Sequence, residues 1–305
     1  MRPPRMHRGA RVALVAPAGP LGPDAVERAA GRVRDFGWEP VVGANAAGRF
    51  GFLSADDDAR AADFNAALRD PSIDAVWALR GGYGTMRVLD RIDWNALAVR
   101  PVPVIGFSDN TAVHLAIRRL GLVSFHGPHP ATLDFNDFSR DVFLGVMGGG
   151  EPAGVLPFPA GSAGRAETVT GGTAEGELIG GNLSLVAATL GTAYAIQPRG
   201  CILFLEEVGE SAYRIDRLLT QLLLAGVLDG VAGVAVGAFS AAPDVDPSHP
   251  SVADVVRERL GGLGIPLALG FPFGHVDDNW TLPVGVRARL DADAGSLELL
   301  EAAVV

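Results

Sequence analysis

Along residues 11–126, short apolar runs rich in β-branched residues alternate with helix-periodic segments, which confines the chain to a layered α/β arrangement. The runs at 11–16, 40–43, 73–79, 102–105 and 123–126 have strand character. Pro23-Asp24 opens a helix that Gly37 stops. Ser54, followed at the capping spacing by Asp57, reads as the cap of a second helix, which Asp70-Pro71 closes, and residues 85–90 are helical. Strands alternating with helices imply a doubly wound, mostly parallel sheet with ligands at the carboxyl ends of its strands. Gly81-Gly82 and Ser108 both fall at such ends.

After residue 126 the pattern loosens, and a Gly/Pro/Ala-rich stretch runs from Met147 to about Gly172. The expected organisation is an N-terminal α/β domain at 1–150, a linker at 151–172, and a β-rich α+β domain at 173–305, with the active site between the two domains. In the second half, 177–179, 201–205 and 231–239 read as strands, and 183–190, 213–225 and 251–260 as helices. Gly180-Gly181-Asn182 reads as a turn, and 282–290 and 297–300 as antiparallel strands.

Composition excludes several classes of function. A net charge of −10 argues against nucleic acid or an anionic membrane surface as partner. With Cys201 as the single cysteine there is no internal disulfide and no cysteine metal site. The apolar run at 12–16 is short for a signal-peptide core, and no stretch reaches the roughly 20 apolar residues of a membrane span, so a cytoplasmic protein is expected.

Ser108 stands where the chain changes direction, in Gly106-Phe107-Ser108-Asp109-Asn110-Thr111. The G-x-S portion occurs in nucleophile turns, but Asn110 replaces the usual second glycine, so Ser108 and Asp109 could equally cap the next helix. A serine nucleophile needs a histidine, usually oriented by a carboxylate. Of the histidines, His7 lies near the terminus and His249 in a Pro-rich loop, and His114 on the following helix faces away from the corner. His126 and His129 flank Gly127-Pro128 and could line the cleft, but a third metal ligand nearby is lacking. His275 sits in the glycine-bearing loop Gly270-Phe271-Pro272-Phe273-Gly274-His275. Glu206 and Glu207 end an apolar strand, where alternation sends their side chains to opposite faces. Gly81-Gly82 could supply an oxyanion-hole N–H or form an ordinary turn; nucleotide-binding glycine motifs are absent.

Taken in order, Arg80-Gly81-Gly82-Tyr83-Gly84, the Ser108 corner, Gly180-Gly181-Asn182-Leu183-Ser184, Leu203-Phe204-Leu205-Glu206-Glu207-Val208-Gly209-Glu210 with Tyr213-Arg214-Ile215-Asp216-Arg217, and the His275 loop resemble the LD-carboxypeptidase family of serine peptidases over nearly the whole chain. The resemblance implies a Ser–Glu–His triad: Ser108 as nucleophile, His275 as general base and Glu206 orienting it. It places the oxyanion hole at the backbone N–H groups of Gly82 and Asp109. It further implies a cytoplasmic homodimer, without metal or organic cofactor, that removes the terminal D-alanine from L,D-linked muropeptide tetrapeptides during cell-wall recycling. Arg80 and Arg214 are candidates for the substrate carboxylate. The family usually has Glu-Asp where this chain has Glu206-Glu207, and often an aliphatic residue where it has Asn110. Two rival readings are a microcin self-immunity peptidase that cleaves peptide–nucleotide conjugates and a non-catalytic small-peptide binding protein. The first would need an aromatic loop to stack a nucleobase, and 147–172 offers Phe158 but neither Trp nor Tyr.

Overall fold

The computed structural model describes residues 1–131, 136–240 and 248–305. The chain forms two compact units: residues Met1–Gly150, Thr281–Val284 and Ala303–Val305 make the first, and Glu151–Trp280 with Gly285–Ala302 the second. The first half runs β1 (Arg11–Val15), α1 (Pro23–Asp35), β2 (Glu39–Val42), α2 (Asp57–Arg69), β3 (Ala75–Ala78), α3 (Trp94–Val99), β4 (Val104–Gly106), α4 (Thr111–Arg119), β5 (Ser124–His126) and α5 (Asp137–Gly148). Then follow β6 (Gly154–Val155), β7 (Glu167–Thr170), β8 (Thr173–Asn182), α6 (Leu183–Ala188), β9 (Ile202–Val208), α7 (Ala212–Leu224), β10 (Gly233–Ser240), α8 (Val252–Gly261), β11 (Leu267–Leu269), β12 (Leu282–Val284), β13 (Arg287–Asp291) and β14 (Ser296–Leu299).

In the first unit the sheet order is β12-β5-β4-β3-β1-β2. The strands from β2 to β5 are all parallel, and β12 closes the edge antiparallel to β5. This is a doubly wound order, reversing direction at β1, and it leaves the segments after β1, β3 and β4 at one end of the sheet. Its central strands are covered on both faces, which is why Ala75–Ala78 and Val104–Gly106 are buried at every position and read as continuous apolar runs. Trp77 at the core stacks on Phe143 of α5 at 5.1 Å and donates its indole N–H to Pro128 O.

The second unit carries a mixed sheet in the order β6-β14-β13-β8-β9-β10-β11-β7. Its centre, β8 to β11, is parallel, and its margins are antiparallel. Glu206 and Glu207 both lie within β9, near its carboxyl end.

Four local expectations are corrected. Residues 151–172 are not a bare linker: β6 pairs with β14 and β7 with β11, so backbone groups of this Gly/Pro-rich stretch are satisfied by the sheet. Ser54 does not cap α2. Asp56 does, accepting from Ala59 N, while the Ser54 hydroxyl donates to Ala16 O. Gly180 and Gly181 are not a turn but continue β8. A Cβ on Gly180, where φ is +151°, would lie 1.8 Å from Phe204 O, so this strand tolerates only glycine where it passes β9. Finally, 282–290 is not one strand. The chain breaks at Gly285 (φ 95°), sending β12 to the first sheet and β13 to the second.

Candidate active site

β4 ends at Gly106, and Phe107 continues extended with φ −151° and ψ −169°. Ser108 then turns left-handed at φ 61°, the one non-glycine residue with positive φ among the described residues. A β-carbon in this region is crowded, so the conformation costs on the order of 1–2 kcal/mol and persists only where its surroundings enforce it. A short 3-10 turn, Ser108–Asn110, leads directly into α4. Strand, strained serine and helix together have the backbone form of a strand–turn–helix corner, the form that nucleophile elbows take. The residues at the N-cap positions of the 3-10 turn and of α4 are Phe107 and Asn110, and neither makes a side-chain cap.

The Arg80–Gly84 loop after β3 is built against this elbow. A Cβ on Gly81 would fall 2.9 Å from Ser108 Cβ, 3.0 Å from its Oγ and 3.2 Å from Asp109 N, so only glycine lets the loop lie there. Gly82 and Gly84 have φ of 112° and 124°. Gly19 N donates to Gly81 O, and the buried Arg60 guanidinium donates to Pro17 O and Gly84 O, tying the segments after β1 and β3 together. Asp109 is buried, and its carboxylate accepts from both the backbone N–H and the hydroxyl of Thr85. Burial pushes its pKa above the ordinary aspartate value, and the Thr85 hydrogen bonds oppose that rise. Gly81→Ala is therefore expected to move the serine and lower turnover by about 10²-fold, the cost of roughly an ångström of misplacement, with the melting temperature recorded alongside kcat.

In the second unit, β9 delivers a buried carboxylate to the loop after β11. Glu206 is fully buried, and His275 Nδ1 donates to its Oε2 at 2.7 Å. A neutral imidazole that donates from Nδ1 carries its lone pair on Nε2, the arrangement a general base requires. Burial raises the Glu206 pKa above its ordinary value, while the hydrogen bond and charge of His275 pull it down. Gly274 has φ +108°, and a Cβ there would lie 2.8 Å from both Glu206 Cβ and Oε2. Asn279 brackets the same residue, donating to Gly274 O and accepting from Gly274 N. Gly274→Ala is accordingly expected to push His275 off the carboxylate and lower kcat by roughly 10²-fold with KM little changed, as measured by steady-state kinetics.

The strand alternation separates the two glutamates as expected. Glu207 accepts from Asn182 Nδ2, Ser184 N and Val208 N, holding the start of α6, and makes no contact of this kind with His275. The candidate substrate cations are engaged locally. Arg80 donates to Gly81 O and Pro20 O, and Arg214 to Glu210 and the Tyr213 hydroxyl. His114 is buried, with Nε2 donating to Gly106 O and Nδ1 accepting from Ser124, and desolvation lowers its pKa to about 4. It supports β4 as a neutral ring. His129 binds the elbow itself, through Phe107 N and Asn110. Among the described residues no group of three His, Cys, Asp or Glu side chains could hold a metal ion, and no helix is long and apolar enough to cross a membrane. Thr85, Arg60, Asn279 and His129 were not singled out from the sequence as supports of these two clusters.

The description "LD-carboxypeptidase N-terminal domain" fits residues 12–127 and "LD-carboxypeptidase C-terminal domain" fits residues 175–290. The chain is 44% identical over 308 residues to a putative carboxypeptidase of Streptomyces coelicolor, covering 98% of this chain and 96% of that one. A muramoyltetrapeptide carboxypeptidase from Oxalobacter formigenes superposes with a TM-score of 0.84 at 31% identity, covering 95% of this chain and 98% of that structure. The microcin C7 self-immunity protein in complex with aspartyl sulfamoyl adenosine shares the fold, with a TM-score of 0.90 at 23% identity and complete coverage of both chains. With both domain families matched in order and relatives aligned from end to end, the chain belongs to the LD-carboxypeptidase family of peptide hydrolases.

Proposed function

We propose that this protein is a serine LD-carboxypeptidase that removes the terminal D-alanine from L,D-linked muropeptide tetrapeptides, acting in the cytoplasm as a homodimer. Ser108 is the nucleophile, His275 the general base, and Glu206 the carboxylate that orients the imidazole. Ser108 Oγ attacks the carbonyl of the L-centre of the diamino acid while its proton passes to His275 Nε2. The oxyanion is met by the N–H groups of Gly82 and Asp109. The C–N bond then breaks, and the same proton leaves on the D-alanine amine. Water, deprotonated by His275, hydrolyses the Ser108 ester and restores the enzyme. The observation that carries the reading is the 2.7 Å contact between His275 Nδ1 and the buried Glu206, the tautomer-fixing half of a serine triad.

Phe158 favours a muropeptide over a peptide–nucleotide. It packs on Trp280 and Phe271 at 5.3 and 6.1 Å, so the aromatic residue of 147–172 is used internally. The test is incubation of the purified protein with the sugar-free tetrapeptide and, separately, with an aminoacyl sulfamoyl nucleoside. Mass spectrometry should show D-alanine from the first and an intact second compound. The reverse pattern would make the protein an immunity-type peptidase, and turnover of neither would make it a binding protein. Analytical ultracentrifugation should give twice the chain mass for the homodimer.

A further inference from the structure

A buried polar cluster lies behind the Ser108 corner, centred on Asn110. Asn110 is buried, and its side-chain Nδ2 lies 3.2 Å from Phe107 O, 3.3 Å from Arg80 O and 3.0 Å from His129 Nε2. Two of these partners are carbonyl oxygens, so the group facing all three is the amide donor and not the amide oxygen. His129 Nε2 receives a second donor, the backbone N–H of Phe107, at 3.3 Å. Two N–H groups directed at one ring nitrogen require a lone pair on it, which places the His129 proton on Nδ1.

The approach of His129 is also determined by the fold. After β5, Gly127 N donates to Gly106 O at the end of β4, and a Cβ on Gly127 would meet the Thr281 side chain at 2.8 Å. Pro128 O is held by the Trp77 indole at 3.0 Å. The following residue, His129, is thereby turned onto the elbow, 2% exposed, with its ring 4.5 Å from that of Phe107. One nitrogen thus grips the chain on both sides of Ser108, at Phe107 before it and Asn110 after it. Asn110 links that grip to the glycine loop through Arg80 O.

We propose that His129 and Asn110 are positioning residues for Ser108: as the Nδ1–H tautomer, His129 accepts from the Phe107 N–H and the Asn110 amide and thereby holds the left-handed serine in attacking geometry. This inference rests on Ser108 being the nucleophile. An Nε2–H ring would set a donor against two donors, and an apolar residue in its place would take this acceptor from the Phe107 N–H and the Asn110 amide. His129 and Asn110 act through the backbone that flanks Ser108, so the effect should fall on kcat and not on substrate capture.

The test compares His129→Leu, His129→Gln, Asn110→Leu and the double variant Asn110→Leu/His129→Leu by D-alanine release, with the melting temperature of each. His129→Leu should lower kcat by about 10–100-fold with KM within about twofold, and His129→Gln, whose carbonyl can replace the acceptor, should restore most of the loss. The double variant should lose less than the two single losses combined, because the Asn110–His129 contact is common to both. Long-range proton–nitrogen spectra of the wild-type imidazoles should report an Nδ1–H tautomer for His129, independently of any substrate. Unchanged kcat in His129→Leu, equal losses in the Leu and Gln variants, or an Nε2–H ring in the spectra would each overturn the proposal. D-alanine release by Ser108→Ala would instead overturn the nucleophile assignment, leaving the spectra to judge the His129 geometry.

Discussion

Ser108→Ala is expected to reduce D-alanine release by about 10⁴–10⁶-fold, the usual effect of removing the nucleophile from a serine triad. The residual rate should not respond to His275→Ala, because without the hydroxyl the base has no proton to remove. The same position predicts an effect on stability. Ser108 holds φ 61°, where a β-carbon is crowded and glycine is not. Alanine keeps the strain and glycine releases it, so Ser108→Gly should be more stable than Ser108→Ala by about 1 kcal/mol, as read from denaturant midpoints. Equal activity in wild type and Ser108→Ala would remove the serine from the mechanism. Equal stability of the two variants would mean that the left-handed turn stores no strain.

Under the proposed mechanism Glu206→Gln should lower kcat by about 10³–10⁴-fold, because an amide can hold the ring without stabilising an imidazolium. Its effect on stability should have the opposite sign. Burial raises the folded-state pKa of Glu206 above 4.5, so from that value up to the raised one the folded protein binds more protons than the unfolded chain. Stability contributed by the protonated carboxyl is complete below that window and is lost as pH rises through it. Glutamine does not titrate, so the stability of Glu206→Gln relative to wild type should grow across the window and level off above it. Asp109 shifts in the same direction but is common to both proteins and cancels in the comparison. Melting temperatures of the two proteins from about pH 4 to 8 make the measurement. A variant that loses stability relative to wild type as pH rises would contradict the sign.

Much of this architecture is legible in the sequence because local rules and tertiary context agree there. The strands ending at Gly106 and near Glu206 are continuous apolar runs because both of their faces are covered. The period-two alternation of β9 is enough to separate Glu206 from Glu207. The misreadings occur where a distant contact overrides a local signal. Gly180-Gly181 resembles a turn, yet the cause of these glycines is a carbonyl of the neighbouring strand, at Phe204. Residues 282–290 look uniform, and only Gly285 hints that the two ends serve different sheets. His129 carried no signal as a support for the serine, because its partners Phe107 and Asn110 become neighbours only when β4 and β5 pair.

The position of β12 bears on how the chain is made. The edge of the first sheet beside β5 is completed by Leu282–Val284, and the last residues also return, with Val305 O accepting from Arg5 N. On the ribosome the N-terminal unit therefore waits, with β5 unpaired on its outer side, until Leu282–Val284 has left the exit tunnel. Vectorial synthesis can finish the second sheet's parallel centre before the first sheet is closed, and an uncapped strand is a template for wrong pairing in the interval. A fragment released at residue 150 would retain that open edge permanently, which makes premature termination an aggregation hazard for this chain and not a source of a smaller folded protein.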